Sequence, residues 1–385
     1  MTGIGIIGSG AIAQVHGDAY LEFQDRCEVR AVCDLYADKA QALIDGKGLK
    51  HAKAYKEIDD LVSLPGIDAV SICLPPGSHA EAAIKALEAG KHVLVEKPMA
   101  TSLAECDAMI SAAEKSGKIL SPVAQNRFKT PNFRVKTMIQ EGAAGKVLYA
   151  AINSLWWRGP GYYDIWWRGT WDVECGGCVT GHAVHHIDLL LWMLGKPERV
   201  TAVITNVGHD NSECEDLGMA ILEYPGMLAQ LTASLVNHDE QQELVFQAER
   251  GRLSVPWTSA ASKALPNGFP REDTEAKNAL QKRYDSIPAL AREGHPAQIG
   301  NFLAAIEGAE TLAINGRDGR AAMELIMAIY KSSVARQPVT LPIAKDDVFY
   351  SRESMTKAMP RFHKKTRSIE NYASAEITLG RDLGR

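Results

Sequence analysis

The sequence predicts an α/β fold in two parts: a doubly wound parallel sheet of the dinucleotide-binding (Rossmann) type, then an α+β domain with a large open, mainly antiparallel sheet. Three observations predict it. The chain opens on a strand that runs directly into a glycine-rich turn and a helix. Strand and helix patterns then alternate to about Val123, and from Arg199 to Leu253 longer strands follow one another with no helix between them. A length of 385 residues suits two domains, with expected limits of 1–124 and 125–345 and a C-terminal tail over 346–385.

The first strand carries Ile4, Ile6 and Ile7, and Gly8-Ser9-Gly10-Ala11-Ile12-Ala13 follows at once. This is G-x-G-x-x-A between a strand and a helix, the arrangement that holds a dinucleotide. Gly8 permits the tight turn and Gly10 lets backbone approach a pyrophosphate. Ala13 lets the helix lie close on the strand, with its N-terminal N–H groups turned to the phosphates. Glu28 to Cys33 reads as the second strand and ends in Asp34, at roughly the 20-residue spacing expected of the carboxylate that takes the adenosine ribose hydroxyls. Its charge would repel the extra phosphate of NADP, and Leu35 and Tyr36 beside it supply no basic partner. NAD is the expected cofactor.

Helices are expected at Ala37–Ile44 and Glu57–Leu64, and Ile67–Leu74 is an almost wholly apolar strand, as suits a central parallel one. Pro75-Pro76-Gly77 breaks it before a helix over Ala80–Ala89. The next strand, His92–Val95, ends in Glu96-Lys97-Pro98. A helix over Leu103–Glu114 and a strand over Ile119–Ala124 complete the unit. Ligands of open parallel sheets gather at the carboxyl ends of the strands. Asp34, the segment from Leu74 to His79, Glu96, Lys97 and Asn126 all fall there, and each is a candidate to contact the cofactor. Pro98 keeps Lys97 out of helical geometry, and a lysine partly desolvated beside a positive nicotinamide ring would have a lowered pKa. Such an amine can take or return an alcohol proton.

After Asn126 and Arg127 a helix over Asn132–Gln140 leads into a long strand, Val147–Trp156. The loop from Trp157 to Trp171 is rich in aromatic residues and arginine. Sugars present polar edges and apolar C–H faces, so Trp157 as a platform with Arg158 and Arg168 as donors suits them, as would packing at a domain or subunit junction. The two arginines could clamp a carboxylate on the substrate, which would favour a uronate-type sugar. A helix is expected over His182–Leu194, placing His182, His185 and Asp188 near one face, with Asp188 able to fix the His185 tautomer. Cys175-x-x-Cys178 followed by His182 and His185 imitates a zinc set, but the four are crowded into one turn and one helix start, so no metal is expected. Asn267–Glu275 reads as a polar loop, Ala297–Ala309 and Gly319–Arg336 as helices, and the tail beyond Asp346 as charged and weakly patterned, either wrapping a neighbouring subunit or mobile.

A net charge of −5 leaves no basic footprint for nucleic acid or an acidic membrane surface, and no apolar run approaches the ~18 residues of a membrane span. No leader-like segment precedes the first strand, and 7 scattered cysteines fit reduced thiols, so a cytoplasmic setting is expected.

Between about Gly3 and Arg336 the chain resembles the glucose–fructose oxidoreductase, inositol dehydrogenase and rhizopine-catabolism family (Gfo/Idh/MocA). The resemblance is carried by G-S-G-A-I-A, by Glu96-Lys97-Pro98, by Gln125-Asn126-Arg127, and by the run from Gly176-Gly177 through His185 to Asp188. It implies NAD(P)-dependent oxidation or reduction of a sugar, cyclitol or sugar derivative, with Lys97 as acid/base and His185 as its histidine partner. Arg127 and His182 would join Lys97 and His185 against the substrate, and the open sheet would carry contacts of a homo-oligomer, a dimer or tetramer. Two positions depart from the pattern. Gly181 stands where many relatives carry an Asp four residues before the histidine, and Pro76 precedes Gly77-Ser78-His79 where an Asn is common. Two other outcomes of the same fold are an NAD-dependent enzyme that oxidises transiently, eliminates a glycosidic substituent and reduces again, and a non-catalytic NAD-sensing regulator.

Overall fold

The computed structural model describes residues 1–370. The first unit contains β1 (Thr2–Ile7), α1 (Ala11–Leu21), β2 (Cys27–Cys33), α2 (Ala37–Lys47), β3 (Lys53–Tyr55), α3 (Ile58–Val62), β4 (Ala69–Ile72), α4 (His79–Glu88), β5 (His92–Val95), α5 (Leu103–Ser116) and β6 (Leu120–Pro122). All six strands run parallel in the order β3-β2-β1-β4-β5-β6. The order reverses direction between β1 and β4, which opens a crevice at their carboxyl ends. β1 and β4 are buried along their whole length, as strands covered on both faces must be. The short strand β3 has only half-buried or exposed residues, so no apolar pattern marks it in the sequence.

Then follow α6 (Thr130–Gln140), β7 (Val147–Trp157), α7 (Cys178–Gly181) and α8 (Val184–Leu194). The strands β8 (Arg199–Thr205), β9 (Leu217–Tyr224), β10 (Met227–Ser234), β11 (Val236–Ala248), β12 (Gly251–Val255) and β13 (Ser259–Ala260) come next. A small hairpin, β14 (Ser262–Ala264) and β15 (Pro270–Glu272), precedes α9 (Thr274–Ser286), α10 (Gly294–Ile306), α11 (Gly316–Ala335), β16 (Val339–Thr340) and α12 (Arg352–Ala358). The second sheet has the order β13-β12-β11-β7-β10-β9-β8-β16 and is antiparallel except where β10 pairs parallel with β7. β8 and β9 alternate buried and exposed along their length, the period-2 signature of a sheet covered on one face. The cover is α11, whose Ser332 and Ser333 hydroxyls accept the N–H groups of Ala202 and Ile204 on β8 at 2.9 Å. One buried cluster runs from Ile7 and Val70 of the first sheet through Val135 and Met138 to Ile152 and Leu222 of the second. The two sheets therefore share a core.

Two expectations are corrected and one helix start is refined. The polar stretch 267–275 is not a loop throughout: it holds β15 and the start of α9, a helix that buries only Leu280 and Tyr284 and so shows little periodicity. The helix expected over His182–Leu194 is α8, which starts two residues later at Val184, and a short helix not expected from the sequence, α7, precedes it, the two separated at His182 and Ala183. Packing fixes the start of α7. A Cβ at Gly177 would lie 1.7 Å from the Glu215 carbonyl oxygen, and Glu215 Oε1 accepts the N–H groups of Gly177 and Val179 at 3.0 Å, fixing α7 as a separate short turn. The tail beyond Asp346 is ordered against its own chain over its described part. It forms α12 and then a strap on its own chain, where the Ile369 N–H donates to the Asp164 carbonyl at 2.8 Å and the Trp166 N–H to the Ile369 carbonyl at 3.0 Å. The end of the tail, 371–385, lies outside the described residues.

Candidate active site at the strand ends

Gly8 ends β1 with φ +95°, and a side chain there would run 2.5 Å from the Cys73 carbonyl oxygen, with Leu74 also against it. Only glycine fits this turn. A Cβ at Gly10 would meet nothing within 4 Å, and Gly10 caps α1 without any side chain accepting the first helical N–H groups. The turn thus leaves open space at a helix N-terminus, flanked by exposed Ala11 and half-buried Ser9 and Ile12. Asp34 closes the cradle: its Oδ2 accepts the Ser9 N–H at 2.9 Å and the Ser9 hydroxyl at 2.6 Å, and Oδ1 accepts the Tyr36 N–H at 3.0 Å. Leu35 (72 % exposed) stands free beside it, an apolar surface for an adenine ring. These residues fit the phosphates and ribose of a dinucleotide.

Glu96, Lys97 and Pro98 leave the end of β5, with Lys97–Pro98 a cis peptide. His79 is wholly buried beneath this turn, with Nδ1 2.8 Å from the Pro98 carbonyl oxygen and Nε2 2.8 Å from that of Leu74. It braces the ends of β4 and β5 from inside, and the expectation that it faces the cofactor gives way to this packing. Glu96 is likewise buried: Oε2 accepts the Lys97 N–H at 3.1 Å, and Oε1 lies 3.1 Å from His16 Nε2 and 3.6 Å from His295 Nε2. Burial alone would raise its carboxyl, but His16 and His295 outweigh that and hold it well below the usual range. Glu96 therefore stands as an internal anion behind the lysine, not at a cofactor surface as expected.

The Lys97 ammonium donates to the Gly181 carbonyl at 3.1 Å. Burial pushes its pKa down, Glu96 and Glu174 oppose that, and Arg168 and Arg158 reinforce it. Lys97, His185, Val123, Asn126 and Asp188 line one small cleft between the strand ends of the first sheet and helices α8 and α11. Asn126 is held there by its carbonyl, which accepts Asn132 Nδ2 at 2.7 Å. Burial, then the nearby Lys97 charge, holds His185 well below the usual histidine range, so its ring is neutral. His182, at the break between α7 and α8, is neutral for the same first reason, followed by the charges of Arg158 and Lys97. Its ring packs against Trp156 and Tyr162 at centroid distances of 5.5 and 5.8 Å, and its Nδ1 is buried without a hydrogen-bond partner.

Arg158 lies over the Trp156 ring (5.3 Å) and pairs with Glu240 at 2.6 Å. Arg168 lies over Tyr162 and Trp167, bonds the Tyr162 hydroxyl and pairs with Glu174 at 3.1 Å. Both arginines therefore reach the lysine corner already partnered by carboxylates. Trp157 is 44 % exposed and stacks on His238 at 5.6 Å, while Tyr163 and Trp171 are buried supports of the loop. Two expectations fail together at Arg127. Its Nε and Nη2 donate to the two Asp188 oxygens at 2.9 and 2.7 Å, and Asp318 lies 3.3 Å away. Arg127 is thus a buried structural cation, not a free substrate donor, and Asp188 serves it and does not orient His185. The Cys175 and Cys178 thiols turn to the carbonyls of Trp171 (3.1 Å) and Ala233 (3.5 Å), away from a shared ligand set with the histidines. Sequence reasoning missed Glu174, Glu215 and the His16–Glu96–His295 cluster, since single polar residues in loops and helix starts carry no period.

Comparison with known proteins accords with this geometry. Residues 2–123 match the family model described as oxidoreductase family, NAD-binding Rossmann fold, and residues 133–254 match the GFO/IDH/MocA C-terminal domain. Myo-inositol 2-dehydrogenase of Thermotoga maritima is 25 % identical over 346 residues, covering 88 % of this chain and 98 % of its own. Inositol 2-dehydrogenase of Salmonella typhimurium is 34 % identical over 200 residues, 52 % of this chain and 56 % of that one. Among solved structures, the WlbA dehydrogenase of Bordetella pertussis in complex with NADH and UDP-GlcNAcA superposes with a TM-score of 0.77 at 27 % identity, covering 89 % of this chain and 98 % of that one. The nucleotide cradle, the mixed second sheet and these matches together place the chain in the Gfo/Idh/MocA family of NAD-dependent oxidoreductases, the family of the sugar and cyclitol dehydrogenases.

Proposed function

We propose that the protein oxidises a hydroxyl group of a sugar, cyclitol or sugar derivative, with Lys97 exchanging the hydroxyl proton and His185 as its partner. NAD, held by the Gly8–Ile12 turn and Asp34, supplies the acceptor for a hydride leaving the carbinol carbon. The reading rests on one observation: Lys97 at the end of a Rossmann strand shares a cleft with neutral His185 of the second domain. An amine whose pKa is lowered by burial can accept an alcohol proton near neutral pH, and a neutral imidazole beside it can accept or pass that proton on. Gly181 O holds the Lys97 ammonium in place, which limits its freedom before substrate arrives.

The aromatic loop suggests the kind of sugar. Arg158 and Arg168, with Tyr162 and His182, surround the lysine corner with cations and ring faces. This supports a substrate bearing a carboxylate, although both guanidinium groups share their charge with Glu240 and Glu174. That the WlbA structure contains UDP-GlcNAcA adds weight to an acidic, sugar-based substrate. A panel of neutral sugars, cyclitols, uronates and nucleotide-linked sugar acids, incubated with NAD and followed by NADH absorbance, tests the proposal. Turnover with at least one carboxylated member is expected. Tight NAD binding with no turnover of any polyol would refute it.

A further inference from the structure

Glu174 sits in the loop before Gly176 and Gly177 and is 4 % exposed. Its Oε2 accepts the Gly169 N–H at 2.6 Å and its Oε1 accepts Arg168 Nη1 at 3.1 Å. The same Oε1 borders Gly181. A Cβ built on Gly181 would lie 3.8 Å from it, an ordinary contact, so the space beside this glycine is the space that the Glu174 carboxylate occupies. Gly181 is also the residue whose carbonyl receives the Lys97 ammonium at 3.1 Å. Carboxylate and ammonium therefore both border Gly181, a residue with no side chain to stand between them.

We propose that Glu174 is the second-domain carboxylate that, beside Glu96, raises the proton affinity of Lys97, a positioning residue that acts through the lysine and Arg168 without touching substrate. The proposal rests on the reading of Lys97 as the proton-exchanging group. Four charged groups act on Lys97: Glu96 and Glu174 favour its ammonium form, and Arg168 and Arg158 oppose it. Neutral His182 and His185 complete its surroundings. Glu96 is the stronger of the two anions, but its oxygens are engaged by His16 and by the backbone N–H of Lys97 itself. Burial pushes the Glu174 carboxyl up from its ordinary range, and Arg168, the Gly169 N–H, Lys97 and Lys365 act against that rise by favouring its anion. It is thus the anion that links the lysine to the arginine of the substrate loop. Because charges in a partly buried site interact more strongly than in water, removing this one changes the lysine's proton affinity measurably.

The test measures the pH dependence of Lys97 acylation by a small amine-directed reagent on the full-length protein, read by mass spectrometry of the Lys97 peptide, beside the pH profile of kcat/KM. Glu174→Gln should move the midpoint of Lys97 labelling, and the matching limb of kcat/KM, down by on the order of one pH unit. Adding Gly181→Asp to that variant returns a carboxylate to the same space and should restore the midpoint. If Glu174→Gln does not fold, Glu174→Asp, which draws the charge back by one methylene, should move the midpoint in the same direction by less. A midpoint equal to the parent's in a folded, NADH-binding Glu174 variant overturns the proposal. Retention of full turnover by Lys97→Met, with the labelling midpoint still displaced by Glu174→Gln, would instead sink the catalytic reading and leave this coupling standing.

Discussion

Lys97 Nζ donates to the carbonyl oxygen of Gly181 at 3.1 Å, so a strand-end lysine of the dinucleotide domain is held by the glycine-rich turn of the second domain. That one bond ties the amine proposed to exchange the substrate proton to the element that carries His182 and leads into His185. The accepting carbonyl belongs to the last residue of α7, just before the separation from α8 at His182 and Ala183. Substrate chemistry at this corner is therefore sensitive to residues that never touch substrate.

Asp34 is expected to govern the choice and strength of cofactor binding. In Asp34→Ala the Ser9 N–H and hydroxyl lose their acceptor, along with the charge that repels a 2′-phosphate. A charge-assisted hydrogen bond of this kind contributes about 1.5–3 kcal/mol, so the Kd for NADH should rise roughly 10- to 100-fold while NADPH binding weakens little or improves. Fluorescence titration of both nucleotides checks it. Equal weakening of both would show that Asp34 does not discriminate.

Arg127 is expected to matter for stability more than for substrate affinity. Arg127→Leu leaves Asp188 buried without its bidentate partner, which typically costs about 3–5 kcal/mol. Arg127→Leu combined with Asp188→Leu should recover most of the loss, since neither charge then remains unpaired. Urea unfolding of the two variants measures this. A single variant as stable as the parent, with a raised substrate KM, would return Arg127 to the substrate.

How far the sequence led is clearest at these positions. The Gly8–Ala13 turn and Asp34 were legible because a strand, a glycine turn and a helix at fixed spacing leave few alternatives for the backbone. Lys97 was legible because strand ends of open parallel sheets converge on one crevice. Arg127 and His79 also follow strand ends, yet the structure turns both inward. Asp188 and Asp318, 61 and 191 residues further along, capture the Arg127 guanidinium, and no local pattern announces such partners. His79 is claimed by the carbonyls of Leu74 and Pro98, which local sequence does not show to be short of donors. The polar helix α9 escaped because it buries so little, and Glu174 because a lone acid in a loop looks like any other.

Glu215 is expected to make stability depend on pH. Burial pushes its carboxyl up to about 7 in the folded chain, against roughly 4.3 in an unfolded one. Between those values the folded state holds a proton that the unfolded state has lost. Stability from this group is thus complete below about pH 4 and declines as pH rises through 7, by on the order of 3 kcal/mol. Glu215→Gln should remove that part of the decline, so its unfolding free energy should fall less than the parent's between pH 5 and pH 8. Parallel pH profiles for the two proteins would contradict it.

The outer face of the second sheet is expected to be an interface between copies of the chain. Val203 and Met219 are cross-strand partners, and with Ile221 and Leu228 they leave an apolar surface about half exposed on three adjacent strands. Met219→Asp combined with Ile221→Asp should shift a dimer or tetramer to monomer in light scattering, with helix content unchanged. An unaltered oligomer would place the interface elsewhere.

The most direct test of the account is the turnover of Lys97→Met on whichever sugar the NAD-coupled panel identifies. Loss of the acid/base group should lower kcat roughly 10²- to 10⁴-fold, while the Kd for NADH stays within about twofold of the parent's. Parental turnover by the methionine variant would contradict the account at its centre, because no amine would then be needed at the end of β5.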